Sequence, residues 1–216
     1  MGFDSVPRLL MLAMVTICVS WDRPVLAEDQ NAAKQATIQQ AVFESPIQKG
    51  SVELALLAGF GISHDLWEGE PGIRFLVLGA RLGRVLSGPR GPGFLRGNLE
   101  IAGELLPAFL VDRGDTTYGF SATLLGRHHL MPGSRWRPYI VLGVGGLSTQ
   151  QLIPIDTARF NFTLQAGLGI SYALNERFVL TAEYRIHHIS AGVKTATENP
   201  GINSSYIQFS VTAYRW

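Results

Sequence analysis

A histidine and a serine near the C-terminal end of the chain, His188 and Ser190, have the spacing of a base and a nucleophile. Residues 178–190 alternate between apolar and polar side chains, and successive side chains of a β-strand point to opposite faces. On that period the pair shares one face with Phe178, Leu180 and Tyr184. Because a histidine within hydrogen-bonding reach of a hydroxyl can activate it, the pair predicts serine nucleophile chemistry at the end of an apolar strand face.

A second candidate segment, Asn199-Pro-Gly-Ile-Asn203, follows a short loop and leads into another alternating stretch. Its apolar positions, such as Ile207 and Phe209, are odd-numbered, and Asn203 is odd as well. Asn203 should therefore lie on the apolar face of its own strand. The same five residues are also a plausible turn, because Asn, Pro and Gly favour turn conformations.

The segments His188-Ile-Ser190, Ala191-Gly192 and Asn199-Pro-Gly-Ile-Asn203-Ser204 together resemble the C-terminal signature of the lipid A 3-O-deacylase family. The resemblance is close over the last two strands and architectural over the rest. It implies an outer-membrane β-barrel that removes an ester-linked acyl chain from lipopolysaccharide. It also implies Ser190 as nucleophile, His188 as base, Asn203 as the residue that orients the histidine and Asn199 as an oxyanion donor. It implies no metal or organic cofactor.

The sequence departs from the family pattern at two positions. The family has an Asn directly after the serine, where this chain has Ala191. The position that can carry an acidic triad member is Asn203, which orients an imidazole without supplying charge. Glu198 is the one nearby carboxylate and an alternative for that role. Weak activity, altered acyl selectivity and loss of the chemistry all stay open on these grounds.

The N-terminal residues are typical of export. Arg8 precedes an apolar run over residues 9–19, and Val25-Leu26-Ala27 supplies small residues before Glu28. We interpret residues 1–27 as a secretory signal peptide, because the apolar run is too short to span a bilayer. Cys18 lies inside it, so the mature chain would contain no cysteine for disulfides, thiolate metal sites or thiol catalysis. Residues 28–50 form a polar leader, mobile or partly helical.

Residues 51–216 are predicted to form the barrel domain. The balanced net charge of +1 indicates no polyanion such as nucleic acid as a partner. Beyond residue 27 no apolar run is long enough for a transmembrane helix. Eight stretches instead have strand character, and they cover residues 51–63, 73–84, 98–106, 118–127, 137–147, 160–172, 178–190 and 204–216.

Alternation alone fits either a membrane barrel, apolar outside, or a lipocalin-like soluble barrel, apolar inside. Two observations favour the membrane barrel. The apolar faces extend along nearly whole strands with aromatic residues near their ends, and the opposite face carries several charges, namely Glu53, Glu100, Glu104, Glu183 and Arg185. We therefore predict an all-β fold, an eight-stranded antiparallel outer-membrane β-barrel.

In such a barrel with both ends in the periplasm, the loop over residues 191–202 is extracellular. His188, Ser190 and Asn203 then meet on the lipid-facing wall at the level of the outer leaflet. His187 has the opposite parity and is expected to form hydrogen bonds in the lumen. His128 and His129 are expected after the fourth strand on the periplasmic side, without the further ligands of a metal site.

The sequence therefore predicts a serine esterase that acts on the 3-O-linked acyl chain of lipid A in the outer membrane. The competing class is a non-catalytic barrel, structural or adhesive, whose function resides in its extracellular loops. These loops are short and carry no recognisable binding chemistry. The expected partners are lipopolysaccharide and the membrane, and a homodimer stays open.

Overall fold

The structure is a computed structural model and describes residues 45–65, 71–154, 158–191 and 201–215. Eight antiparallel strands form a closed barrel in which each strand pairs with its neighbours in sequence and β8 pairs with β1. The strands are β1 Val52–His64, β2 Arg74–Val85, β3 Gly97–Asp112, β4 Thr116–Leu130, β5 Trp136–Thr149, β6 Phe160–Ala173, β7 Phe178–Ala191 and β8 Ile202–Arg215. A short 3-10 turn, Gly93–Leu95, lies between β2 and β3. No helix within the described ranges is long and apolar enough to span a membrane.

The predicted face assignment is confirmed. Large apolar side chains alternate along the strands on the outer surface, whereas charged and polar side chains fill the interior. On β6, Leu164 is 56% exposed while its neighbour Gln165 is 6% exposed. The inside-out pattern of a membrane barrel therefore holds, and the soluble-barrel alternative does not.

The largest differences in strand length from the prediction are in β3 and β4, which extend beyond residues 106 and 127. The register between β3 and β4 shifts between Leu106 and Phe109, so that Pro107 lies at a β-bulge. Proline has no N–H group for the ladder and is tolerated at bulges, which lets β3 continue past it. The shift also exchanges the parity, so that Phe109 and Val111 point inward.

A buried network of ion pairs fills the middle of the barrel. Glu104 accepts hydrogen bonds from Arg81 at 2.7 Å and from Arg185 at 2.9 Å. Glu183 contacts both arginines and accepts a hydrogen bond from the Tyr139 hydroxyl at 2.7 Å. Toward one end, Arg127 lies between Glu53 and Glu100. Since each charge has an opposite charge beside it, the polar interior is compatible with a closed, filled barrel.

Removing one carboxylate from this network should destabilise the barrel strongly. Glu104→Ala removes one of the two carboxylates that Arg81 and Arg185 share, and breaking a buried pair in this way costs about 3–5 kcal/mol. We expect the urea midpoint of unfolding in lipid vesicles to fall accordingly, measured by tryptophan fluorescence. Glu176→Ala, in the exposed turn between β6 and β7, is the control. Equal midpoints for the two variants would contradict the assigned role of the network.

The two ends of the barrel are distinct. At the terminal end β1 begins and β8 ends; at the opposite end, here called the site end, the β7–β8 connection brings the end of β7 beside the start of β8. Residues 45–50, assigned to the leader from sequence, pack at the terminal end, where Arg137 donates hydrogen bonds to Ser45 Oγ at 2.8 Å and to the Ile47 carbonyl at 3.0 Å. They are not helical. Residues 1–44 lie outside the described residues, so the signal peptide and most of the leader stay predictions.

Cysteine labelling can check which strand face contacts lipid. Single cysteines at Leu164, Leu168 and Leu180 should react with a lipid-soluble thiol reagent and resist a membrane-impermeant one, because these side chains are exposed on the outer surface. Cysteines at Gln165 and Thr181, which are buried in the interior, should not react with the lipid-soluble reagent. Labelling of the interior positions instead of the three leucines would invert the assigned faces.

Candidate active site

The strand pairing brings His188 and Asn203 together. The two residues are direct partners in the ladder between β7 and β8, and His188 Nδ1 lies 2.7 Å from Asn203 Oδ1. An amide oxygen can only accept, so Nδ1 of His188 carries the proton in this contact. In a neutral imidazole the other nitrogen, Nε2, is then an acceptor and can serve as a base. The predicted proximity of His188 and Asn203 is confirmed.

Ser190 lies on the same face of β7, two residues beyond His188. Two residues of a strand span about 6.5–7 Å, which leaves the hydroxyl and the imidazole within side-chain reach of each other. Both side chains are half-buried. Within the described ranges, no hydrogen bond joins Ser190 Oγ to His188. Such contacts are often loose in ligand-free enzymes and tighten when substrate binds.

The surroundings of the pair are apolar on the β6 side. Ser190 lies opposite Phe162 and His188 lies opposite Leu164, and both neighbours are exposed on the outer surface. On the β8 side the outer wall is partly polar, because Tyr184 Oη and Ser205 Oγ are 2.8 Å apart. Ser205 is the next outward position of β8 after Asn203, toward the middle of the barrel. A reactive group at this position therefore faces the outer surface of the barrel and not its lumen.

Asn203 is more deeply buried than its outward position suggests, since it is only 2% exposed. Gly201, which precedes β8, packs against the His188 ring; a Cβ atom at this position would lie 3.1 Å from His188 Cε1. Its φ angle of +60° is one that L side chains rarely adopt. Gly201 was not singled out from the sequence as a site residue, although the Pro-Gly dipeptide marks a turn that needs such a conformation.

Two of the residues proposed from sequence cannot be placed. Glu198 and Asn199 belong to the β7–β8 connection and lie outside the described residues, so their roles stay predictions. Ala191 is the last residue of β7, and its backbone pairs with Asn161 of β6. Ala191 thus stands, at the point where β7 ends, in the place where the resemblance leads us to expect an Asn.

The other histidines differ from their predicted environments. His187 points inward as expected, but neither ring nitrogen has a hydrogen-bond partner within the described part of the chain. It packs instead against aromatic rings, with ring centroids 5.9 Å from Phe75 and 6.5 Å from Tyr206. The prediction of a hydrogen-bonding lumen histidine is wrong because the imidazole packs against the faces and edges of aromatic rings at this level of the interior.

His128 and His129 lie inside β4 and do not follow it, because β4 extends to Leu130. His128 Nε2 donates to the Leu95 carbonyl at 2.9 Å on the outside, whereas His129 Nε2 contacts Glu100 at 2.5 Å in the interior. Adjacent strand residues face opposite sides, so the two rings cannot share a ligand. The described residues contain no group of three or more His, Cys, Asp or Glu side chains arranged to hold a metal ion.

The fold and this site define a class, the eight-stranded outer-membrane β-barrel with a histidine, an asparagine and a serine on its lipid-exposed wall. Within that class the chain belongs to the lipid A 3-O-deacylase (PagL) family, whose model matches residues 98–212, or 115 of the 216 residues. The match covers β3 to β8 and includes His188, Ser190 and Asn203. No curated protein sequence is significantly similar to the chain.

Solved structures agree on the fold. The crystal structure of the outer membrane enzyme PagL has 16% sequence identity and a TM-score of 0.52, covering 72% of this chain and 97% of that one. Neisserial surface protein A has 15% identity and a TM-score of 0.51, covering 76% of this chain and 99% of that one. The same barrel thus occurs in an enzyme and in a surface protein, and the fold alone does not decide the activity.

Proposed function

We propose that the protein is a serine esterase that hydrolyses the 3-O-linked acyl chain of lipid A in the outer leaflet of the outer membrane. Family membership supports the substrate class. The observation that carries the catalytic part is the 2.7 Å contact between His188 Nδ1 and Asn203 Oδ1, two residues from an outward-facing serine. This contact leaves His188 Nε2 as the nitrogen available to the serine.

The reaction begins with attack of Ser190 Oγ on the ester carbonyl carbon, while His188 Nε2 takes the hydroxyl proton. The tetrahedral oxyanion then collapses. The bond to the sugar oxygen breaks, and His188 returns its proton to that oxygen, which leaves as the 3-hydroxyl group. Water, deprotonated by the same imidazole, next attacks the acyl-serine. The products are a free fatty acid, the deacylated lipid and the regenerated serine.

Asn203 has the role of an orienting residue in this scheme. It holds the His188 ring with the protonated nitrogen turned away from Ser190, but it provides no negative charge to the imidazolium that forms. Asn199 and backbone N–H groups of the β7–β8 connection are proposed as oxyanion donors, and one such donor contributes about 3 kcal/mol to transition-state stabilisation. Glu198 is the alternative partner of the histidine.

The outer wall suits an acyl chain as the substrate. We infer that the site end faces the cell exterior, because in even-stranded outer-membrane barrels the start of the first strand and the end of the last strand both lie on the periplasmic side. A lipid whose ester reaches Ser190 can lay its acyl chain along Phe162 and Leu164 without leaving the bilayer. Burial of hydrocarbon against this wall would favour lipid esters over water-soluble ones.

Export is part of the proposal. We infer that residues 1–27 direct secretion and are removed, so the protein isolated from outer membranes should begin at Glu28. An intact mass measurement of that protein tests the processing site independently of the catalytic assignment.

Mass spectrometry of lipid A tests the proposed function. Cells that produce the protein should contain lipid A lacking one ester-linked hydroxyacyl chain, whereas cells producing Ser190→Ala should contain unmodified lipid A. Both proteins should show the same shift in gel mobility between heated and unheated samples, which reports a folded barrel. Unmodified lipid A in the presence of folded wild-type protein would favour the non-catalytic alternative.

A further inference from the structure

A third residue, His64, lies in the same row of the outer wall as His188 and Asn203. Asn203 pairs with His188 of β7 on one side and with His64 of β1 on the other. His64 follows the exposed positions Phe60 and Ile62 on β1, so it points outward. Directly opposed residues in antiparallel strands have Cβ atoms about 4.5–5.5 Å apart and side chains on one face. The Asn203 amide therefore has an imidazole on each side.

The imidazole of His64 is incompletely hydrogen-bonded within the described part of the chain. Its Nδ1 atom is buried and has no hydrogen-bond partner within the described part of the chain. A buried polar atom without a partner is unfavourable, and most such atoms in native proteins are paired. Because Nδ1 is shielded, a bound lipid is a poor partner for it. Its direct partner across the ladder is Asn203, whose side chain is polar.

The side-chain amide of Asn203 can form hydrogen bonds with both histidines, because its oxygen is an acceptor and its nitrogen is a donor. Its Oδ1 accepts from His188, and its Nδ2 carries two N–H groups that can donate to more than one partner. If the amide turned over, Nδ2 would face His188 Nδ1 and require that nitrogen to accept. The proton of a neutral His188 would then lie on Nε2, and the ring could not take a proton from Ser190. The orientation of this one amide thus controls the proposed base.

We propose that His64 is a positioning residue that fixes the orientation of the Asn203 amide by accepting a hydrogen bond from Nδ2 at its Nδ1. The inference rests on the proposed esterase function and extends the site from β7 and β8 to β1. The contact requires a rotation of the His64 side chain toward Asn203, since Nδ1 makes no hydrogen bond in the structure. His64 then selects the tautomer of His188 through the amide, without touching the substrate.

A double-mutant cycle separates this role from packing. In the wild-type background we expect His64→Ala to lower kcat about tenfold with little change in KM, because part of the population has the wrong amide orientation. In an Asn203→Asp background the same change should have less than about a twofold effect, because the two oxygens of a carboxylate are equivalent acceptors. His64→Gln, which keeps an acceptor, should retain most of the wild-type rate.

His128→Ala is the matched control, since His128 is also an outward-facing, half-buried histidine but lies at the terminal end. Its kcat should equal that of wild type. If His64→Ala lowers kcat by the same factor with Asn203 and with Asn203→Asp, the proposal is overturned. An effect of packing would be the same whether the side chain at position 203 is an amide or a carboxylate. Wild-type activity of His64→Ala in the Asn203 background would also overturn it.

A measurement without turnover distinguishes failure of this inference from failure of the proposed function. Nitrogen-15 NMR of histidine-labelled protein in micelles reports the tautomer of His188, whose signals are assigned by their loss in His188→Ala. We expect a predominantly Nδ1–H tautomer that becomes mixed in His64→Ala. An unchanged tautomer would overturn the role of His64 even if the protein deacylates lipid A, and a changed tautomer would support it even if the protein does not.

Discussion

Ser190→Ala is expected to lower the rate of lipid A deacylation by about a thousandfold or more, and His188→Ala and the double variant are expected to lower it by a similar factor. The reason is that a nucleophile and its base act as one unit. Once Ser190 is absent, the imidazole has no proton to accept, and once His188 is absent, the hydroxyl is a weak nucleophile. Deacylation of lipid A in detergent micelles, followed by mass spectrometry, measures the three rates.

Two neighbouring residues supply controls for this experiment. Ser205→Ala removes another outward-facing hydroxyl, which contacts Tyr184, and should leave the rate near that of wild type. His187→Phe replaces the adjacent histidine with a residue suited to its aromatic surroundings and should also be active. The nucleophile assignment fails if Ser190→Ala deacylates at the wild-type rate. Additive losses in the double variant would mean that the two side chains act separately.

The barrel could be predicted from sequence because its burial pattern has a period of two. Along β6 the apolar side chains Phe162, Leu164 and Leu168 are exposed outside, and Thr163 and Gln165 are buried inside. The inward charges decided between membrane and soluble barrels, since a lumen with Glu104 and Arg185 can be filled by ion pairs while a lipid-facing surface cannot carry them. Parity is a local property and needs no knowledge of the partner strand.

Features that depend on contacts between distant strands could not be predicted from the sequence. Glu104 was expected to point inward, but its contacts with Arg81 and Arg185 follow from the closed barrel, which brings together residues far apart in sequence. The length of β3 was underestimated. A proline in the middle of a sequence run usually ends a strand, and only the pairing with β4 shows the bulge that accommodates Pro107. His187 has the predicted direction but not the predicted partners.

The same distinction applies to the site. His188 and Asn203 belong to adjacent strands joined by one connection, so parity and topology were sufficient to bring them together. His64 was missed because its proximity to Asn203 depends on the register with which β8 closes onto β1. A shift of that register by one residue would move either side chain to the opposite face, and no local pattern in β1 specifies it.

Asn203→Ala is expected to lower the deacylation rate by roughly tenfold to a hundredfold, while Glu198→Gln has little effect. The 2.7 Å contact with His188 makes Asn203 the residue that holds the ring, and its removal frees the ring to adopt the wrong tautomer. Asn203→Asp should match or exceed the wild-type rate, because it preserves the geometry and adds a charge that stabilises the imidazolium. Single-turnover measurements on purified variants give the three rates without interference from product release.

The ranking of these variants assigns the third member of the triad. If Glu198→Gln abolishes activity and Asn203→Ala is tolerated, the carboxylate of Glu198 holds the histidine and the contact with Asn203 is structural. If neither change matters, His188 acts as a base without assistance. A rate for Asn203→Asp well below that of wild type would show that the charge is harmful here, as it would be if the low-dielectric lipid surface penalised the carboxylate more than the imidazolium gained from it. Because aspartate and asparagine have the same shape, that outcome would separate the effect of charge from the effect of orientation.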